Sequence, residues 1–471
     1  MISIFAIILV MFIIYTLINT QNKLEKYKKL LIISISFELL MVQGYFFKFG
    51  TSELSYQAAM SLIMIPYTVY FIMSENVKIG LKELLLILFF LASCMIGIMH
   101  QYIEPYSGSI MNSSAVGSWD AYVIGINNKG SVEISWTRFL VIYAQFISVM
   151  MTILIFHYAF SFDDIRHILK KVNIILRWNV YFVILEFFFK NIMISDTTMQ
   201  LEGILLGDSS STYTTLILRN GFYQLQGLTR EPSHLAFTLF YTLIFFIVEK
   251  RIINSKYKIC DYLYLIMVIT LSFISGSFAA ILYIVTLLIW IAYLAIKNAK
   301  DITKIAILVI SFAVVSSVGY SIYSGISDDS FGGFGKRIDL TTQIVSAIAD
   351  NNWQSSGGDS ALPRFISIYD TFFDFMDRPL FGMGIGIQYS HGGLVNVLSD
   401  IGVMGVIMWW KIALGSYGHD ILSILILFLG SNLFIGSIID YFGMSSMVFF
   451  LACLRNEWNL NRQSNMKYED K

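Results

Sequence analysis

Between residues 2 and 454 the sequence returns repeatedly to apolar runs of about 20 residues, the length an α-helix needs to cross the roughly 30 Å hydrocarbon core of a bilayer. Backbone polar groups in lipid must bond to one another. Only helices or closed barrels do this, and the apolar/polar alternation of a barrel strand is absent here. The runs fall at about 2–19, 30–47, 58–73, 84–99, 138–160, 174–194, 235–249, 260–275, 279–296, 305–323, 394–413, 420–437 and 440–454. They predict an all-α polytopic transmembrane bundle of about 12–14 helices. The chain is 56% hydrophobic and 14% charged, where soluble domains carry about 25% charged residues. No stretch of soluble composition separates the runs, so residues 1–471 are read as a single integral membrane domain.

Lys and Arg total 32, as do Asp and Glu, which gives no basic character for nucleic-acid binding. Their positions are uneven. Short connections hold Lys23, Lys26, Lys28 and Lys29, then Lys78 and Lys82, then Arg166, Lys170, Lys171 and Arg177, and similar groups near 250–258, 297–304, 411 and 455–471. The positive-inside rule makes these cytoplasmic, with the N-terminus outside and the C-terminus inside. Met1 to Ile4 has no basic n-region and no cleavage site follows, so a retained first helix is expected rather than a signal peptide. The opposite face carries the long loops, about 100–137, 195–234 and 324–393, the last between helices 10 and 11. Loops this long tend to carry function. An aromatic amphipathic helix is expected near 361–377, and Cys94, Cys260 and Cys453, without CxxC spacing, read as core residues.

Two outward stretches carry candidate chemistry. The first is Gly227-Leu228-Thr229-Arg230-Glu231-Pro232-Ser233-His234, polar residues around a proline that suits the first position of a helix. A plain helix start, with Glu231 and Ser233 meeting orphan amides, explains the same residues. The second comprises Arg364, then Arg378-Pro379-Leu380-Phe381-Gly382-Met383-Gly384-Ile385-Gly386, then His391 and Asn396, then Asp400 and Gly402 inside an apolar helix. The glycines permit tight turns and close approach to a ligand, but with no preceding strand they are not a dinucleotide site. A charge at Asp400, about two turns inside an apolar segment, is expected to face the bundle or water. Glu38 is an unexplained intramembrane charge, and Glu186 with Lys190 forms an i,i+4 pair.

Gly227 to Ser233 resembles a G-x-x-x-E-P-S element, and Pro379 to Gly384 with His391 and Asp400 to Gly405 resembles a P-x-x-G-x-G … H … E-x-G-x-x-G element. Together, with a large outer loop between them, they resemble the superfamily of O-antigen polymerases and O-antigen ligases. Ile274-Ser275-Gly276-Ser277 resembles its T-G-S-R turn, although Phe278 stands at the arginine position, Asp400 replaces Glu and Gly392 follows His391.

The resemblance implies polymerisation of undecaprenyl-pyrophosphate-linked repeat units into O-antigen or capsule at the outer face of the bacterial cytoplasmic membrane. It implies a glycosyltransferase needing no metal or cofactor, with a chain-length regulator and a flippase as partners beside membrane lipid and the lipid-linked oligosaccharide. Charge developing on pyrophosphate calls for arginine, whose planar fork suits it. Arg364 matches the family's arginine, and Arg230, Arg337 and Arg378 are further outward candidates. His391, with an ordinary pKa near 6.5, and then Glu231 are candidate proton acceptors for the attacking hydroxyl. Asp400 is placed with the substrate-binding set, while Asp328-Asp329 and Asp163-Asp164 read as turns or caps rather than metal ligands. A ligase is the nearest alternative. A flippase or transporter is expected to show paired halves and interrupted helices, and no internal repeat is visible.

Overall fold

The structure is a computed structural model. It describes residues 3–40, 45–49, 52–106, 134, 136–195, 197–198, 200–201, 218–219, 222–229, 231–253, 257–275, 277–298, 368, 371–387, 393–417, 426 and 452–453. Its helices are α1 Ile4–Asn19, α2 Lys23–Leu40, α3 Tyr56–Ser74, α4 Leu81–Ile103, α5 Trp136–Tyr158, α6 Phe162–Phe187, α7 Pro232–Ile252, α8 Ile259–Ile274, α9 Phe278–Asn298 and α10 Gly393–Tyr417. Among the described residues, α3, α4, α5, α6, α9 and α10 are long and apolar enough to cross a membrane, and α1 and α8 are shorter apolar helices. The chain is thus a helical bundle of membrane-protein character. The run expected at 305–323, and nearly all of those at 420–437 and 440–454, lie outside the described residues.

Two boundaries differ from the hydropathy reading. The second helix occupies 23–40 rather than 30–47, and an antiparallel hairpin follows it, β1 Tyr45–Phe49 with β2 Ser52–Ser55. The sixth begins at Phe162, twelve residues before the apolar run at 174. It is nucleated by Ser161, whose hydroxyl accepts from the Asp164 amide while the Asp164 carboxylate accepts from the Ser161 amide. The expected cap role of Asp164 therefore holds. Residues 371–377 are helical, the described part of the amphipathic segment expected near 361–377.

Helix α7 is the core. Every residue from 234 to 249 is buried, as for a helix apolar on all faces. It packs against α6, α9 and α8, while α2 bridges α3 and α6, α3 lies on α5, and α4 carries α10. Outward apolar residues such as Met11, Phe89, Ile103, Leu185 and Ile266 form the surface a lipid solvent requires.

Contacts sort the connections into two ends. At one, the hydroxyls of Ser3 and Tyr56 meet, Thr238 Oγ1 donates to the Leu39 carbonyl at 2.6 Å, and the ends of α4 and α6 meet residues 378–384 and 222–227. At the other, Lys23 pairs with Glu75 (3.5 Å), Lys28 with Asp164 (2.5 Å) and Lys250 with Asp261 (2.7 Å). Lys28 is nearly buried and also bonds Glu25, so this pair ties α2 to α6 more firmly than an exposed bridge could. Of the cysteines, Cys94 and Cys453 are buried but Cys260 is exposed, which corrects the core reading for that residue.

Candidate functional site

The first candidate segment is held by the end of α6. The helix continues into a π-helical turn, Phe188–Ile192, which presents Lys190 and Asn191 toward the returning chain. Glu186 is 0% and Lys190 2% exposed, and their charges meet at 2.5 Å. The Glu186 carboxylate also accepts two backbone amides, from Gln226 (2.8 Å, to Oε1) and from Gly227 (2.7 Å, to Oε2). Lys190 Nζ donates to the Gln224 carbonyl at 3.4 Å. Asn191 brackets Tyr223, accepting its amide at 2.6 Å and donating to its carbonyl at 3.2 Å. An unpaired buried charge is costly, but here each charge has its counterion and further bonds. The i,i+4 pair seen in the sequence is therefore the anchor of a loop roughly 40 residues away in the chain.

The pinned strand turns at Gly227, whose φ of +63° few other residues adopt. A Cβ there would also press on Val183 and Leu235. Thr229 Oγ1 then bridges the Gln226 (2.6 Å) and Glu231 (3.0 Å) carbonyls. Glu231 is the N-cap of α7 and Pro232 its first residue, as the helix-start reading expected. The Glu231 side chain does not cap. Its carboxylate is exposed and accepts the Ser233 hydroxyl at 3.2 Å, so it stands at the positive end of the central helix.

The second candidate segment interlocks with a broken helix. At Gly402 α10 takes φ 65°, ψ 180°, a conformation open essentially to glycine alone. The break frees carbonyls behind it and amides ahead of it. Residues 379–384 satisfy both. The amides of Met383 and Gly384 donate to Ser399 (2.6 Å) and Asp400 (3.1 Å), and those of Val403 and Met404 donate to Pro379 (2.9 Å) and Leu380 (3.1 Å). Gly382 lies against the Ser399–Asp400 backbone, and Gly97 of α4 faces the Phe381 carbonyl, which a Cβ would approach to 2.7 Å. The close approach predicted from these glycines is thus to the chain's own helices. Asp400 is buried beneath this turn, its carboxylate accepting from Asn396 at 3.3 Å. It faces the bundle, as a charge in that helix must.

Arg378 serves the same junction. Its guanidinium donates to Gln101 Oε1 (2.8 Å) and to the Glu104 carbonyl (2.6 Å) and lies over the Tyr106 ring, 5.6 Å from its centre. It closes the C-terminus of α4. The Tyr106 hydroxyl lies 2.7 Å from both Asp374 Oδ1 and Asp377 Oδ2. Burial, then the two carboxylates, push its pKa far above the usual phenol range.

Glu231 therefore sits at the α6–α7 junction, and Arg378 and Asp400 at the α4–α10 junction, all at the same end of the bundle. His391, Arg230, Arg337 and Arg364 lie outside the described residues. Glu38 is buried on α2 one residue from the Thr238 contact, with Ser34 Oγ 3.4 Å from its carboxylate. Sequence reasoning took Lys190 only as the ion-pair partner of Glu186 and passed over Asn191 and the double-amide role of Glu186. The one available signal was two opposite charges four apart in an apolar helix. Among the described residues no group of three or more His, Cys, Asp or Glu gathers to hold a metal. No protein-family model matches the chain, and neither does any curated protein or any solved structure.

Proposed function

We propose that this chain is a glycan polymerase of the cytoplasmic membrane. It joins repeat units carried on a polyprenyl pyrophosphate at the outer face. The observation that carries the reading is the placement of Glu231, an exposed carboxylate on a rigidly anchored loop at the end of the bundle opposite the basic connections. With the basic end cytoplasmic, by the positive-inside rule, that loop faces outward, where lipid-linked glycans are assembled. In the reaction an acceptor sugar hydroxyl attacks the anomeric carbon of the donor, and the bond from that carbon to the pyrophosphate oxygen breaks. Glu231 or His391 takes the hydroxyl proton. Arg364, assisted by Arg230 and Arg337, stabilises the negative charge released on pyrophosphate. Arg378 and Asp400 support this from the α4–α10 junction, where they build the floor on which residues 379–386 rest.

Discontinuous helices also occur in transporters, where the break lines a substrate cavity. The α10 break is filled by backbone from 379–384, with four hydrogen bonds closing it, and this favours an enzyme floor over a transport path. The test is polymerisation of a lipid-linked repeat unit by purified protein in vesicles, comparing wild type with Arg364→Ala and Glu231→Gln. The proposal expects polymer from wild type and a loss of about 100-fold or more in each variant, the scale of a missing general base or charge-stabilising donor. Wild type that moves the lipid-linked unit between leaflets without lengthening it would overturn the reading.

A further inference from the structure

We infer that Glu186 is a positioning residue for the proposed transfer, setting the placement of Glu231 through the backbone of residues 226–227; this rests on the polymerase reading. If Glu186 served only to neutralise Lys190, one contact would suffice. Instead both carboxylate oxygens are committed to consecutive amides, Gln226 at 2.8 Å and Gly227 at 2.7 Å, a two-point grip that fixes both position and orientation of the peptide plane. Lys190 and Asn191 hold the preceding residues, Gln224 and Tyr223, so four of the five residues from 223 to 227 on the approach to Glu231 are held by one helix end. Only Leu228 to Arg230 separate the gripped amides from Glu231, and Thr229 ties that interval to both sides. Any shift of Glu186 is transmitted to the carboxylate by a short, bonded linkage.

A buried ion pair is a weak source of stability, and a well-packed neutral pair can replace it with little loss of fold, whereas one charge left alone cannot be tolerated. This separates positioning from stability. The double variant Glu186→Gln with Lys190→Met leaves no buried charge. Its amide offers one acceptor where the carboxylate offered two, and it turns a donor toward the other backbone amide. The two-point grip is lost while the pair remains neutral.

The experiment uses the full chain in detergent and in vesicles. Three quantities are read: melting temperature, amide hydrogen exchange in peptides covering 222–229, and kcat and KM for chain extension of a lipid-linked repeat unit. The double variant is expected to melt within a few degrees of wild type and to exchange the 226–227 amides at least about tenfold faster. Its kcat should fall about 10- to 100-fold at little-changed KM, the cost of a misplacement of about 1 Å remote from the reacting atoms. Reversing the pair, Glu186→Lys with Lys190→Glu, restores charge balance but not the two acceptors. It is therefore expected not to rescue kcat. Wild-type kcat in the double variant despite faster exchange would overturn the inference, as would rescue by the reversed pair. If the double variant does not accumulate, Glu186→Gln with Lys190→Gln decides instead: it too leaves no buried charge and a single acceptor at position 186, and a wild-type kcat beside faster exchange of the 226–227 amides overturns the inference. Should Glu231→Gln extend chains like wild type, the polymerase assignment of Glu231 fails, and the exchange result separates that failure from a failure of the grip.

Discussion

Replacing Gly402 by alanine tests whether the α4–α10 junction depends on a broken helix. At φ 65°, ψ 180° a non-glycine residue carries about 1–3 kcal/mol of backbone strain. The added Cβ would also stand 2.5 Å from the Leu380 carbonyl carbon and 2.6 Å from the Gly382 nitrogen, so residues 380–382 must move. Those residues lie within the four-bond interlock with Ser399, Asp400, Val403 and Met404. Losing one or two of these bonds at about 1 kcal/mol each brings the total to about 2–5 kcal/mol. Asparagine relieves little, because it favours the left-handed helical region rather than this one. The assay is thermal unfolding of purified protein, followed by loss of the monodisperse chromatographic peak, for wild type, Gly402→Ala and Gly402→Asn. Both variants are expected to melt at least about 5 °C lower, scaling from the few degrees per kcal/mol seen in mid-sized domains. A melt of Gly402→Ala within 1 °C of wild type, or a normal melt for Gly402→Asn alone, refutes the reasoning about the break.

Arg378→Ala removes two hydrogen bonds and a cation–π contact and should destabilise by about 2–4 kcal/mol while leaving KM for the lipid-linked donor unchanged; a large KM increase in a normally melting variant would instead make Arg378 a substrate ligand. Because the folded-state pKa of the Tyr106 hydroxyl is raised above its ordinary value, its bond to the carboxylates is fully present below about pH 10 and is lost only as pH climbs toward the raised value. The stability gap between wild type and Tyr106→Phe should therefore stay flat from pH 7 to about 10 and close above it; a gap that closes near pH 8 contradicts this. A lipid-permeant maleimide should label Cys260 in the native protein and spare Cys94 and Cys453 until it is unfolded, and equal labelling of all three would contradict the burial pattern.

Apolar run length made the helical bundle legible, because a residue average over about 20 positions is insensitive to detail. The same averaging misplaced two boundaries. In α6 Arg166, Lys170 and Lys171 lower the mean, yet Ile165, Ile168, Leu169 and Val172 keep a buried stripe at helical spacing, so the helix extends through them. In α2 the stems of Lys28 and its neighbours are accommodated within the helix, and the apolar stretch at 45–49 pairs as a hairpin instead. Glycines at 382, 384 and 386 signalled close approach but not its partner. That partner is the chain's own broken helix, and the break is invisible where apolar spacing continues on both sides of it. Glu186 with Lys190 was visible as a pair. Its grip on Gln226 and Gly227 was not, since a side chain's reach across 40 residues depends on tertiary packing.

The most direct test of the central proposal is genetic and chemical together. The gene is deleted in its host and restored with wild type, Arg364→Ala or Glu231→Gln at equal membrane abundance, and the surface glycan is separated by size. The account predicts that deletion collapses a ladder of polymer to a single repeat unit, that wild type restores the ladder and that neither variant does. Loss of all attached glycan with polymer accumulating on its lipid carrier, or repeat units trapped on the cytoplasmic leaflet, would contradict it.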